Sequence, residues 1–188
     1  MKSIIFIDSE IGISDHKIKD LGALKEAGVQ FHSASQKAFM RFIDGADFLC
    51  GHNIVEHDMK YLAPLFNNKP IPQLIDTLYL SPLLYPKKPY HKLPKNEKLD
   101  DEQLNNPLND AIKAQIRFYE EQDAWRVLSK NLKMIYCALL YKFPQFKGFF
   151  DYNGCESFQI TGETIKIEFD GKNLQKCRCR FAYRTLSN

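Results

Sequence analysis

The stretch Ile4-Ile5-Phe6-Ile7-Asp8-Ser9-Glu10-Ile11 places the tightest constraint on the fold. Four consecutive β-favouring apolar residues read as a strand buried on both faces, the kind found inside a mostly parallel sheet. Alternation with period two puts Ile4, Phe6, Asp8 and Glu10 on one face and Ile5, Ile7, Ser9 and Ile11 on the other. Two carboxylates then project side by side from the end of the most buried strand. Like charges held close together and out of water are costly unless something compensates them. A divalent cation that prefers hard oxygen ligands, Mg²⁺ or Mn²⁺, removes the conflict. A second reading ends the strand at Ile7 and makes Asp8-Ser9-Glu10 a solvated turn.

A chain of 188 residues suits one domain with room for an appendage. Its net charge of +3 permits a nucleic-acid partner without arguing for one, so phosphate binding has to come from local patches or metal. The five cysteines form an odd set without a Cys-x-x-Cys, and Cys155 with Cys177-x-Cys179 lacks zinc-site spacing and a fourth ligand. Reduced intracellular thiols are the better reading. No apolar run approaches membrane-spanning length, and the N-terminus enters a strand without a signal-peptide pattern. The expectation is a soluble cytoplasmic protein with no membrane partner, nucleoid-associated if bacterial.

Along the chain, Ile18 to Leu24 and Val29 to Ala34 read as strands joined by a turn at Glu26-Ala27-Gly28. Ser35 is a helix N-cap, Ala38, Phe39, Phe42 and Ile43 share one face, and Asp44-Gly45 stops the helix. Phe48-Leu49-Cys50 is a fourth strand closed by Gly51. Asn53 then caps an expected helix over 54–66, whose buried face (54, 55, 58, 59, 62, 65, 66) is apolar except for Asp58. A charge on that face calls for a partner or an ion, unless it sits at the stripe edge facing solvent. His57 points about 100° away and reads as surface. His52, at the strand end, either supports the site or is a plain loop residue.

Ile75 to Leu78 is a fifth strand or a helix start continuing to Leu84. Pro86 to Lys92 is a basic loop carrying Tyr90 and His91, suited to phosphate contact or simply solvated. Residues 94–103 are an exposed, mixed-charge excursion. Asn106 before Pro107 starts a helix with an expected stripe of Leu108, Ala111, Ile112, Gln115, Ile116 and Tyr119. Asp110 falls off that stripe and alone would be a solvated helix charge. Gln122 to Phe150 reads as a further helix and an aromatic tail, with Trp125, packing on the sheet. Ile160 to Phe169 reads as a strand, Asp170-Gly171 as a hairpin turn, and 172–184 as a basic segment. The expected division is a domain over 1–150 and an extension or linker over 151–188.

Asp8 with Glu10 on the leading strand, Asp58 after Gly51-His52-Asn53, and Asp110 early in a later helix form an ordered set. In order, element type and spacing this set resembles the DEDD superfamily of 3′–5′ exonucleases, the epsilon-like (DnaQ-like) proteins. The resemblance covers roughly residues 1–120. The run Asn105-Asn106-Pro107-Leu108-Asn109-Asp110-Ala111 is similar to the exonuclease-like region preceding some bacterial RecQ-type helicases. The resemblance implies an α/β, ribonuclease H-like fold: a mixed five-stranded sheet flanked by helices, here with a small β-containing, basic C-terminal extension. It implies catalysis by Asp8, Glu10, Asp58 and Asp110 as ligands of two Mg²⁺ or Mn²⁺ ions about 3.5–4 Å apart. It also implies contacts from Ser9, Ile11, His52, Asn53, His91 and Asn105 to the 3′ end of single-stranded DNA or RNA, and a linked or associated helicase in DNA repair.

One departure bears on activity. Where the family's two branches carry a general-base histidine or a tyrosine, this chain has Asn105 and Asn106. An amide takes no proton near neutral pH, and losing a positioned base costs about 10²–10⁴ in rate. A metal-bound water with its pKa lowered towards ~7 still attacks. Two readings follow: an active metal-dependent exonuclease, or a catalytically weak nuclease fold that binds nucleic acid beside a helicase.

Overall fold

The leading strand does not end at Ile7. In a computed structural model that describes residues 2–93, 106–157 and 159–170, β1 runs Ile4–Ile11 and carries Asp8 and Glu10 within the sheet. It pairs antiparallel with β2 (Ile18–Lys25), setting Asp8 opposite Gly22 and Glu10 opposite Asp20. β3 (Gln30–His32) extends the meander. After α1 (Gln36–Phe42), capped by the Ser35 side chain, β4 (Phe48–Gly51) returns parallel to β1. β5 (Gln73–Asp76) lies parallel beyond it. The order is β3-β2-β1-β4-β5, with β2 alone reversed, a five-stranded mixed sheet flanked by helices and consistent with a ribonuclease H-like fold.

Two apolar layers follow from the pleat. Ile4 and Phe6 of β1 face α3 (Thr77–Leu84), α4 (Pro107–Val127) and α6 (Pro144–Tyr152), where Phe118, Trp125, Phe149 and Phe150 close the core. Ile5 and Ile7 face the layer built by Phe39 and Ile43 with Ile54, Met59 and Leu62. α5 (Lys130–Leu140) and α7 (Gly162–Phe169) complete the described chain. The expected boundary at residue 150 falls inside α6.

The first turn of α4 lies directly on β2. A Cβ at Gly22 would collide with the backbone of Pro107 and Leu108, so only glycine admits the helix at that distance. The buried stripe of α4 reflects this: Pro107, Ala111, Ala114, Phe118 and Trp125 face inwards, while the expected Ile116 and Tyr119 are exposed. Close approach selects small residues, and the larger aliphatics rotate outwards.

Two other expectations are corrected. The helix over 54–66 is a turn followed by one helical turn, α2 (Met59–Leu62), and a 3₁₀ turn (Ala63–Phe66). Asn53 is not an N-cap. It sits at φ 69°, and its N–H donates to the Asp76 carboxylate at 3.0 Å, as does Val55 N–H at 3.1 Å. The strand expected over Ile160–Phe169 is instead helix α7, capped by Thr161, whose Oγ1 accepts from Thr164 N–H. Its Ile165 and Ile167 reach no core that would demand a strand's alternation, and both are exposed. The β-containing extension is therefore not found among the described residues, and the basic segment 172–184 lies outside them, as do 94–105. Among the described residues no helix is long and apolar enough to cross a membrane. Cys50, Cys137 and Cys155 are free thiols, and Cys177 and Cys179 fall outside the described set.

Candidate metal centre

The β1 pleat turns Asp8 and Glu10 towards α4, and α4 brings Asp110 to meet them. Asn106 caps that helix: its Oδ1 accepts from Leu108 N–H at 2.9 Å and from Asn109 N–H at 3.4 Å. Pro107 pre-sets the first turn, and Asp110 stands in that turn, where the helix dipole favours a carboxylate. One carboxylate oxygen from each of Asp8, Glu10 and Asp110 lies within 4.8 Å of the others, and all three residues are half-buried. Oxygens trans to each other on a Mg²⁺ ion are about 4.2 Å apart, so the three acids are spaced to share a hard cation.

Asp58 approaches from the opposite side of β1. It is buried, 1 % exposed, and its Oδ1 accepts the Ser9 hydroxyl at 2.6 Å. Its oxygens do not belong to the three-carboxylate group, yet its charge acts on Asp8 more strongly than that of Asp110 or Glu10. Burial first, then Asp58, Asp110 and Glu10, holds the Asp8 carboxyl well above the usual range. Lys113 opposes this, with its Nζ 2.7 Å from Asp110 Oδ1. The centre thus concentrates four carboxylates around one lysine.

The remaining expected residues take clear positions. Ser9 is buried and holds Asp58. Ile11 is half-buried and paired with Ile18 beyond an irregularity at Glu10/Ile11. His52 places Nδ1 2.9 Å from Thr77 Oγ1, with its Nε2 buried and unpartnered. Burial and then Arg117 lower its pKa to about 4, which keeps the ring neutral at neutral pH. Asn53 belongs to the turn that Asp76 orders. His91 is tied to α3, its Nδ1 2.9 Å from Ser81 Oγ. Asn105 lies outside the described residues.

Three residues at the centre escape a reading of the sequence alone. His57 was expected to be plain surface. It is half-exposed, with Nδ1 3.8 Å from Asp58 Oδ2, and contact with Asp58, reinforced by Glu10, raises its pKa against a smaller opposing effect of burial. The turn, in place of a regular helix, swings it towards the acids. Asp76 accepts three backbone N–H bonds, from Asn53, Val55 and Leu78, and so fixes the segment leading to Asp58. Burial pushes it up to about 6, while those bonds pull the other way. Lys113, three residues after Asp110, pairs with it along the helix, which matters only once Asp110 is seen to face the centre.

An all-carboxylate donor set suits Mg²⁺ or Mn²⁺ and not a thiolate-preferring ion. Comparison of the chain with protein-family models, with curated proteins and with solved structures gives no match.

Proposed function

We propose that the chain is a Mg²⁺- or Mn²⁺-dependent 3′–5′ exonuclease acting on single-stranded ends, of the type its four acids resemble. The observation that carries this reading is the meeting of Asp8, Glu10 and Asp110 oxygens within 4.8 Å, with Asp58 adjoining through Ser9. Asp8, Glu10, Asp110 and Asp58 would hold two divalent ions. Such ions supply an activated water and stabilise the leaving 3′ oxygen. Ser9 holds the Asp58 side chain in place, Lys113 balances part of the charge at Asp110, and the neutral His52 borders the segment that presents Asp58. A nucleic-acid strand needs little basic surface when cations meet its phosphate, which agrees with a net charge of +3. The likeness to regions preceding RecQ-type helicases makes a DNA helicase, linked or associated, the natural companion in repair.

The second reading, a nucleic-acid-binding module of weak activity, is favoured by Asn106. Its side chain is committed to capping α4 and offers no base. The deciding assay incubates a single strand labelled at its 5′ end with the full chain and Mn²⁺. Stepwise shortening from the 3′ end, abolished in Asp8→Ala, is the expected result. An oligonucleotide that is bound but stays full length with either metal supports the binding module. Absence of binding defeats both.

A further inference from the structure

At the end of the sheet where β4 and β5 begin, the C-terminus of α1, the 44–46 turn and the 64–72 segment enclose a groove of about 650 Å³. The candidate metal centre lies at the other end, where β1 finishes. Asp8 and Glu10 lie four and six residues along β1 from its start at Ile4, roughly 13–20 Å at strand rise. The floor is aliphatic: Met40, Ile43 and Leu65 line it. Pro64, Pro70 and Pro72 stand in its walls, and their fixed φ keeps those walls in shape before anything binds.

The charge around this groove is one-sided. Lys37, Arg41 and Lys69 border it against a single carboxylate, Asp44. All three cations are exposed, and none forms an ion pair with another described residue. An apolar floor between unpaired cations matches a segment with apolar anchors flanked by acids. A nucleic-acid strand would find phosphate contacts here but no ring for its bases to stack on, since the one aromatic ring lining this groove, Phe66, is buried in the core.

We propose that this groove docks an acidic, apolar-anchored peptide segment of a partner protein, at the pole opposite the metal centre. The inference stands apart from the nuclease reading. The test pans a library of random dodecapeptides on the full chain and measures the enriched peptides by fluorescence polarisation. Enriched sequences should carry Asp and Glu around Leu, Ile or Phe, and should bind more weakly as salt rises. Affinity should fall about tenfold or more in the double variant R41E/K69E, with thermal melting confirming that the variant folds. Asp8→Ala should leave peptide affinity unchanged. The proposal is overturned if enriched peptides are not acidic, if they bind R41E/K69E as well as the parent, or if oligothymidylate competes for the groove and loses affinity in that same variant.

Discussion

Asp8 is half-buried and faces three other acids. Its carboxyl is held well above the usual range, chiefly by burial and then by three neighbouring acids. The folded chain therefore binds a proton there that the unfolded chain has already lost. Between the ordinary carboxylate pKa and the raised one, metal-free stability falls as pH rises. A bound divalent cation requires the ionised form and reverses the penalty. Mg²⁺ or Mn²⁺ should accordingly raise the melting temperature more at pH 8 than at pH 5, and Asp8→Asn should remove that difference. The same variant should melt about 2–4 °C higher than the parent without metal, the shift for ~1 kcal/mol in a chain of this size. Calorimetry with and without EDTA decides it. Ser9→Ala strips the buried Asp58 Oδ1 of its hydroxyl partner. It should cost about 1–3 kcal/mol in urea unfolding and lower metal affinity as well. Asp8 and Glu10 were legible because two acids ending an apolar strand break its pattern. His57 was not, because its direction depends on a turn that Asp76, distant in sequence, imposes.

Among the elements, β2, β4 and α1 were read nearly to the residue, since alternation, the Glu26-Ala27-Gly28 turn and the Ser35 cap are local signals, whereas β3 is shorter than expected and β5 begins two residues earlier and gives way to helix at Thr77. The faces of α4 were misread for a physical reason. The expected Ala111 is buried and Ile112 packs on the core, but hydrophobic size carried the stripe on to Ile116 and Tyr119, which are exposed, where close packing selects the small Ala114. The segment over 160–169 misled in a similar way, as Ile165 and Ile167 alternate without burying a face. Gly22 is the element-scale test. Gly22→Ala should lift the first turn of α4 from β2, costing about 1–3 kcal/mol as an overpacked contact. Asp110 would then withdraw from Asp8 and Glu10, so Mn²⁺ affinity should fall by more than the stability loss alone explains. Isothermal titration of Mn²⁺ at a temperature where both proteins are folded separates the two effects.

On the scale of the whole molecule, the proposed nuclease reading, with a mild net charge of +3 and an acid-lined centre, requires strand binding to lean on bridging cations more than on lysines and arginines. Affinity for oligothymidylate should fall only shallowly with monovalent salt, with a log–log slope of about −1 to −2, and collapse on EDTA. A steep slope that persists in EDTA would assign the binding to basic residues. The α/β class and the mixed sheet were legible because the first four strands announced themselves locally, while β5 was left open between strand and helix. The gathering of the acids was legible only as a resemblance, because no local signal says that α4 crosses β2 at Gly22.

That crossing has one more consequence. Gly22 is both the residue facing Asp8 across the hairpin and the seat of α4. If β2 slipped by one position, Leu21 or Ala23 would take the seat and bar the helix from docking. A mispaired hairpin therefore cannot gather the acids, and the three-carboxylate cluster exists only once the first two strands are threaded correctly.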